Sequence, residues 1–304
     1  MVKEIRFTKM HGAGNDYIYI DLTRPDATLP ADFPSLARRI SHRHCGVGAD
    51  GLVAIMRPAD PSRADFAMRM WNADGSEAQM CGNASRCVAK YIHDHSLSAS
   101  RSLRLETRAG IKLLTITALD PHGRVSEVSV DMGPATFSSH EVPVSLPSPT
   151  PTHGIPDHHT PPLLPGTLQV SALGRSFCIH PVGMGNPHGV ILLDHDPTDE
   201  EVLGAGPLLE RDPAWPERAN IEFAHIIDRS HINMRVWERG SGETMACGTG
   251  ACATAAAAIA LGLTDAAVEL QLPGGTLCVS RDPATGHMHL RGPAATICTG
   301  VFPL

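Results

Sequence analysis

Two cysteines stand in matched settings. Gly75-Ser76-Glu77 is followed three residues later by Cys81-Gly82-Asn83, and Ser241-Gly242-Glu243 is followed at the same distance by Cys247-Gly248-Thr249. A run of helix formers comes next in both places, Cys87-Val88-Ala89-Lys90 in one and Ala255 to Ala258 in the other. Glycine after the cysteine lets the chain turn sharply into a helix whose first N–H groups have no intrahelical acceptor, an end suited to a carboxylate. The same positive end favours thiolate over thiol, so both cysteines are expected to have lowered pKa values. Each motif therefore joins an acid–base group to an anion cradle. Two such groups suit inversion of a stereocentre, in which one face loses a proton and the opposite face gains one. A carbanion beside a carboxylate is enolate-like, and helix-end N–H groups on its oxygens stabilise the developing charge.

The elements that carry these motifs also repeat. Gly12-Ala13-Gly14-Asn15 matches Gly183-Met184-Gly185-Asn186; the asparagines lie 171 residues apart and the cysteines 166. Two motifs in one order at nearly one spacing imply two similar halves with a cleft between them. Helices are expected at Asp32–Ser41, Ala84–His93, Asp199–Leu209 and Gly250–Leu261. Alternation marks strands at Arg101–Thr107, Lys112–Ala118, Arg124–Asp131, Thr167–Val170, Ser176–Pro181, Gly189–Leu193, His231–Val236 and Thr276–Val279. Between the halves, about residues 139–166 hold eight prolines and four histidines (His140, His153, His158, His159), which reads as an extended excursion with solvated histidines.

Composition narrows the class. The chain has 304 residues, 42% hydrophobic and 19% charged, with a formal charge of −7 and no basic run, so nucleic acid is not an expected partner. The charged start, MVKEIRFTKMHG, has no apolar signal segment, and the longest apolar run, Ala253 to Leu263, is too short for a membrane span. A cytoplasmic protein is expected, with no membrane partner and with its eight cysteines reduced. No C-x-x-C occurs, and His42-Arg43-His44-Cys45 has no second ligand pair at a recognisable spacing, so no metal is expected. Cys87, Cys178, Cys252 and Cys278 read as small buried hydrophobes. The G-x-G-N segments lack the following glycine of a dinucleotide fingerprint, and no Schiff-base motif is evident. The chemistry is expected to need no cofactor.

At this point the residues resemble the diaminopimelate epimerase family. The likeness rests on Met10 to Asp16, on Arg43 to Gly51, on Asn72 to Asn83, on Met184-Gly185-Asn186-Pro187-His188, on Arg218-Ala219-Asn220, and on Glu238 to Gly250. It covers nearly the whole chain outside the proline-rich stretch. The resemblance implies an α+β fold of two pseudo-symmetric domains, each a curved mixed sheet around a central helix, with the active site in the cleft between them. The first half would span 1–131 plus 293–304 and carry Cys81; the second would span 132–292 and carry Cys247. It implies a small-molecule amino-acid substrate, a homodimer and a PLP-independent reaction, the conversion of LL-2,6-diaminopimelate to the meso isomer on the way to lysine and peptidoglycan.

By the same resemblance Cys81 and Cys247 are the catalytic pair, and His188 and Glu238 tune thiol ionisation. Asn15, Asn72, Gly82, Asn83, Asn186, Asn220, Glu238, Arg239, Gly248 and Thr249 bind substrate. Three positions depart from the family pattern. Gly51 stands where some members carry a substrate-contacting glutamine, Ala84 replaces a glycine, and Cys298 replaces a tyrosine that packs across the dimer. Rival readings are a racemase of another amino acid on the same scaffold, a thiol redox or metal-binding protein, and a non-catalytic binding module.

Overall fold

A computed structural model of the chain describes residues 4–25, 27–138, 141–145 and 163–304. Most of the proline-rich stretch, with His140, His153, His158 and His159, lies outside the described residues. The chain divides into two compact units, Met1–Asp131 with Arg291–Leu304, and Met132–Leu290.

The first unit begins with β1 (Glu4–Gly12) and β2 (Asn15–Asp21), joined by a two-residue turn. Ala13 and Gly14 both have positive φ, 53° and 81°, the conformation that a tight hairpin with right-handed strand twist requires. α1 (Phe33–Ser41) follows, capped by Asp32, whose side chain accepts from the Ser35 N–H at 3.3 Å. Then come β3 (Gly51–Met56), β4 (Phe66–Asn72), the short β5 (Glu77–Ala78), α2 (Gly82–Asp94), β6 (Ser102–Thr107), β7 (Gly110–Leu119) and β8 (Val125–Pro134). The terminal strand, which the numbering of the whole chain makes β18 (Ala295–Pro303), pairs antiparallel with β1.

The second unit holds β9 (Leu168–Ala172), β10 (Arg175–Gly183), β11 (Pro187–Leu193), a π-helical turn (Glu200–Ala205) running into α3 (Gly206–Glu210), β12 (Asn220–Ile226), β13 (His231–Glu238), the short β14 (Gly242–Glu243), α4 (Gly248–Ala260), β15 (Ala267–Leu272), β16 (Gly275–Arg281) and the start of β17 (His287–Pro293), whose last three residues belong to the first unit. Its pairing scheme repeats that of the first unit. From β18 through β1, β2, β3, β4 and β6 to β7 the pairs run antiparallel, antiparallel, parallel, antiparallel, parallel, antiparallel. From β9 through β10, β11, β12, β13 and β15 to β16 the order is the same. The fold is α+β, two similar units, each a mixed sheet with a helix against it.

Each sheet bends around its helix. α2 packs on the neighbours β1 and β2 and on β7, which lies several strands away from them, and α4 packs on β10, β11, β12 and on the distant β16. α4, GTGACATAAAAIA, is apolar nearly all round, the pattern of a helix with no solvent face, and Gly250 to Ala258 are all buried. α2 is as deeply buried but carries Arg86 and Lys90 inside. Lys90 is held by Asp94 at 2.7 Å and donates to the Val125 carbonyl at 2.6 Å; Arg86 donates to Asn83 Oδ1 at 2.9 Å and to the Pro293 carbonyl at 3.2 Å. Lys90 is thus ion-paired, and Arg86 is hydrogen-bonded to neutral oxygens, where water is excluded.

The structure amends the expected elements in three ways. Strands β2, β3 and β12 carry no alternation because both faces are covered; their burial runs unbroken over five residues, so period-two reasoning misses them. The helix expected at Asp199–Leu209 opens as a π-turn, where Glu201 folds back to accept from the Thr198 N–H at 3.0 Å and its hydroxyl at 2.9 Å. Cys178 and Cys278 are only half-buried, unlike Cys87 and Cys252, because they lie on strands facing partly outward.

Candidate active site

Both cysteines occupy the same structural position, the N-cap residue of a largely buried helix. Cys81 precedes α2 with φ −139° and ψ 123°, and Cys247 precedes α4 with φ −112° and ψ 112°. Each lends its carbonyl to the first helical hydrogen bond, Ser85 N–H to Cys81 O and Ala251 N–H to Cys247 O, both at 2.9 Å. The hairpins that lead into them also match. Glu77 pairs with Arg69 at 2.7 Å on β4, and Glu243 pairs with Arg235 at 2.7 Å on β13, each eight residues back. The recurring glutamates are therefore braces for the loops that deliver the cysteines.

Around Cys81 the polar groups form a chain. Its thiol donates to Asn15 Oδ1 at 3.5 Å, and the Asn83 amide donates to the same oxygen at 3.3 Å. Asn15 presents that oxygen because its own Nδ2 donates to Asp50 Oδ2 at 2.7 Å. Asp50 and Asp16 are bridged by Arg43 at 2.8 and 2.9 Å, and Asp16 also meets Lys9 at 2.9 Å. Burial would push Asp16 up, but Lys9 and Arg43 hold its carboxyl below the usual range. Asp50 goes the other way, raised by burial and by Asp16. Asn72 ends β4 with its Nδ2 donating to Ser76 Oγ at 3.0 Å, so the turn itself fixes it. Gly51, its cross-strand partner, sits where an added Cβ would come within 2.2 Å of the Trp71 carbonyl oxygen and 2.8 Å of the Tyr17 ring. A glutamine therefore does not fit at position 51 on this backbone.

Around Cys247 the neighbours are ionisable. Cys247 is 6% exposed, and its sulfur accepts from the Gly250 N–H at 3.4 Å and lies 3.5 Å from the Thr249 hydroxyl. Burial pushes this thiol well above its ordinary pKa, and the carboxylates of Glu238 and Glu222 push further, outweighing the Thr249 hydroxyl and the Gly250 N–H. The expected lowering of its pKa by the helix end is thus overturned: desolvation and two nearby negative charges exceed the attraction of the helix N-terminus. Glu238 is itself raised by burial, against a hydrogen bond from Thr244 and the influence of His188.

His188, fully buried, faces Glu222 Oε1 through Nδ1 at 2.7 Å and Asn186 Oδ1 through Nε2 at 3.0 Å. Asn220, also buried, accepts from the Arg239 N–H at 2.8 Å and so shapes the turn after Glu238. Arg239 is exposed and donates to the Glu217 carbonyl at 2.9 Å. Gly82 with Asn83, and Gly248 with Thr249, form the first turns of α2 and α4.

Among the residues singled out from the sequence, Cys81, Asn15, Asn83 and Gly82 gather in the first unit, with Asn72 at the adjoining strand end. Cys247, His188, Asn186, Glu238, Gly248 and Thr249 gather in the second, with Asn220 and Arg239 at the adjoining turn. Sequence reasoning missed Glu222, which lies 0% exposed in Asn220-Ile221-Glu222-Phe223-Ala224. A glutamate inside an apolar strand run was the available signal. Among the described residues no group of three or more His, Cys, Asp and Glu side chains could hold a metal, and His42 Nδ1 accepts from the backbone of His44 and Cys45 instead. No described helix is long and apolar enough to cross a membrane.

The sequence model of the family described as diaminopimelate epimerase matches residues 7–138 and 181–297. A protein of Desulfovibrio desulfuricans named diaminopimelate epimerase is 42% identical over 302 residues, covering 99% of both chains. One of Methanococcus maripaludis with the same name is 40% identical, covering 97% of this chain and 99% of its own. Among solved structures, a hydroxyproline epimerase from Agrobacterium vitis superposes with a TM-score of 0.68 at 17% identity, covering 100% of this chain and 94% of its own. A PhzF-family phenazine biosynthesis protein from Bacillus anthracis gives 0.65 at 16% identity, covering 99% and 100%. These two likenesses concern the fold.

Proposed function

Since this chain belongs to the diaminopimelate epimerase family, we propose that it epimerises LL-2,6-diaminopimelate to the meso isomer by a cofactor-independent two-base reaction. The observation that carries this reading is the paired placement of Cys81 and Cys247 as N-cap residues of two equivalent buried helices. One sulfur, as thiolate, takes the α-proton and becomes a thiol; the other, as thiol, gives its proton to the opposite face and becomes the thiolate. The first turns at Gly82-Asn83 and Gly248-Thr249 receive the α-carboxylate and stabilise the enolate-like charge between the two transfers. Asn15, Asn72, Asn186, Asn220 and the Glu238-Arg239 pair hold the amine and carboxylate ends of the substrate, whose far end is itself zwitterionic.

The surroundings of Cys247 set when its thiolate forms. Burial and the carboxylates of Glu238 and Glu222 keep the sulfur protonated in the empty protein. A substrate ammonium arriving beside those carboxylates offsets their charge, so ionisation is coupled to binding. In this reading Cys247 takes the proton of the LL isomer, Cys81 returns one, and the two exchange roles in reverse. The half made of residues 1–131 and 293–304 supplies Cys81, and the half made of residues 132–292 supplies Cys247. The enzyme works in the cytoplasm as a homodimer.

The test is a stereospecific assay in deuterated water. Wild-type protein is expected to incorporate deuterium at the α-carbon of LL-diaminopimelate and to release meso product. Cys81→Ser and Cys247→Ser should each lower turnover by roughly 10²-fold to 10⁴-fold. Near-wild-type turnover in either variant eliminates the two-base scheme, and exchange only into another amino acid reassigns the substrate.

A further inference from the structure

Glu222 is a buried carboxylate in a place where the fold does not ask for one. The registers of the two units make Tyr17, Val53 and Asn72 the counterparts of His188, Glu222 and Glu238. The first unit thus fills with a valine the core position that the second fills with an acid. Glu222 is 0% exposed between Ile221 and Phe223, and its Oε2 has no hydrogen-bond partner among the described residues. Burying a half-satisfied carboxylate is costly, so its retention calls for a gain elsewhere.

Two contacts show where that gain lies. Oε1 meets His188 Nδ1 at 2.7 Å. With the proton on Nδ1, the ring turns Nε2 to the Asn186 side chain at 3.0 Å, and the carboxylate has selected both tautomer and orientation. The second contact runs through Gly250. A Cβ there would stand 2.6 Å from Glu222 Oε1 and 3.3 Å from Cys247 Sγ, so carboxylate and sulfur border one gap and lie within about 6 Å of each other.

We propose that Glu222 is a positioning residue for acid–base chemistry at Cys247: it fixes the His188 imidazole and holds negative charge against the sulfur, so that the sulfur keeps its proton until a cationic group of the substrate arrives. The statement rests on the two-base reading above. The other groups facing the sulfur are Glu238 from β13, His188 from β11, and the Thr249 hydroxyl and Gly250 N–H from α4. Glu222 both bonds the imidazole and borders the gap beside the sulfur.

The experiment measures the pH dependence of iodoacetamide alkylation at Cys247 by peptide mass spectrometry, on the full chain without substrate, with Cys81 as internal reference. Glu222→Gln should lower the Cys247 midpoint by about one pH unit or more while leaving that of Cys81 in place, and Glu222→Asp, which keeps the charge, should restore most of the difference. An unchanged Cys247 midpoint in folded Glu222→Gln overturns the proposal. Should that variant not fold, ¹⁵N NMR of His188 in the wild type decides instead: a proton on Nδ1 is expected, and a neutral ring protonated only on Nε2 overturns it. Neither readout uses turnover. A protein that behaves as expected here yet leaves diaminopimelate unchanged refutes the substrate assignment and not the role of Glu222.

Discussion

Gly250→Ala is a one-methyl perturbation whose effects on stability and on catalysis separate. Gly250 is the third residue of α4, so alanine adopts its backbone conformation without strain and improves helix propensity by about 1 kcal/mol. The new Cβ, however, would sit 2.6 Å from Glu222 Oε1 and 3.3 Å from the Cβ and Sγ of Cys247. Ordinary carbon–oxygen contact requires the carboxylate to shift by about 1 Å, which disturbs its hydrogen bond with His188 Nδ1. Overpacking of this kind costs about 1–3 kcal/mol, which the propensity gain partly offsets, leaving a net loss of about 0–2 kcal/mol and a fall in Tm of a few degrees. A 1 Å displacement of groups that hold a reacting atom costs on the order of 10² in turnover. The expected pattern is therefore nearly intact melting with turnover of LL-diaminopimelate reduced roughly a hundredfold, measured on the same preparations. The first unit supplies the control. The equivalent position there is Ala84, fully buried, with Val53 in place of the glutamate. Ala84→Gly should cost about 1 kcal/mol of stability and little activity. Gly250→Ala with turnover within a few-fold of wild type would refute the view that the space beside this glycine is reserved for the carboxylate.

Two further outcomes are expected. Gly51→Ala should destabilise by about 3 kcal/mol or more in chemical denaturation, because its Cβ would meet the Trp71 carbonyl, a backbone atom in the β3–β4 ladder that cannot step aside; a loss under about 1 kcal/mol would contradict this. Cys87 is fully buried and its thiol is pushed up to about 11 from 9.0 by desolvation. Its raised folded value means that the native state favours the thiol, so this stability is complete below pH 9 and is lost as pH rises toward 11, by about 3 kcal/mol in all. Cys87→Ala should lower stability at pH 8 through lost packing yet show a flatter decline between pH 9 and 11 than wild type; parallel curves would reject the assignment.

The sequence by itself determined the doubling of the chain and the place of its chemistry. The repeated Glu-x3-Cys-Gly pattern, the G-x-G-N echo and the helix formers after each cysteine are signals carried within a dozen residues, and local backbone preferences suffice to read them. The expected starts of α1 and of the helices after Cys81 and Cys247 lie within two residues of those observed. What tertiary structure alone decided is the electrical character of each site. Cys81 and Cys247 share one local motif and so had one expectation, a lowered pKa. Yet Cys247 is raised, because Glu222 and Glu238 reach it from two different strands and burial removes the water that would screen them. Gly51 is forced by a carbonyl twenty residues away, and the place of Glu222 beside His188 and Cys247 is set by the fold alone. Desolvation and charge act through space across residues distant in the chain, and no local pattern of residue types encodes that distance.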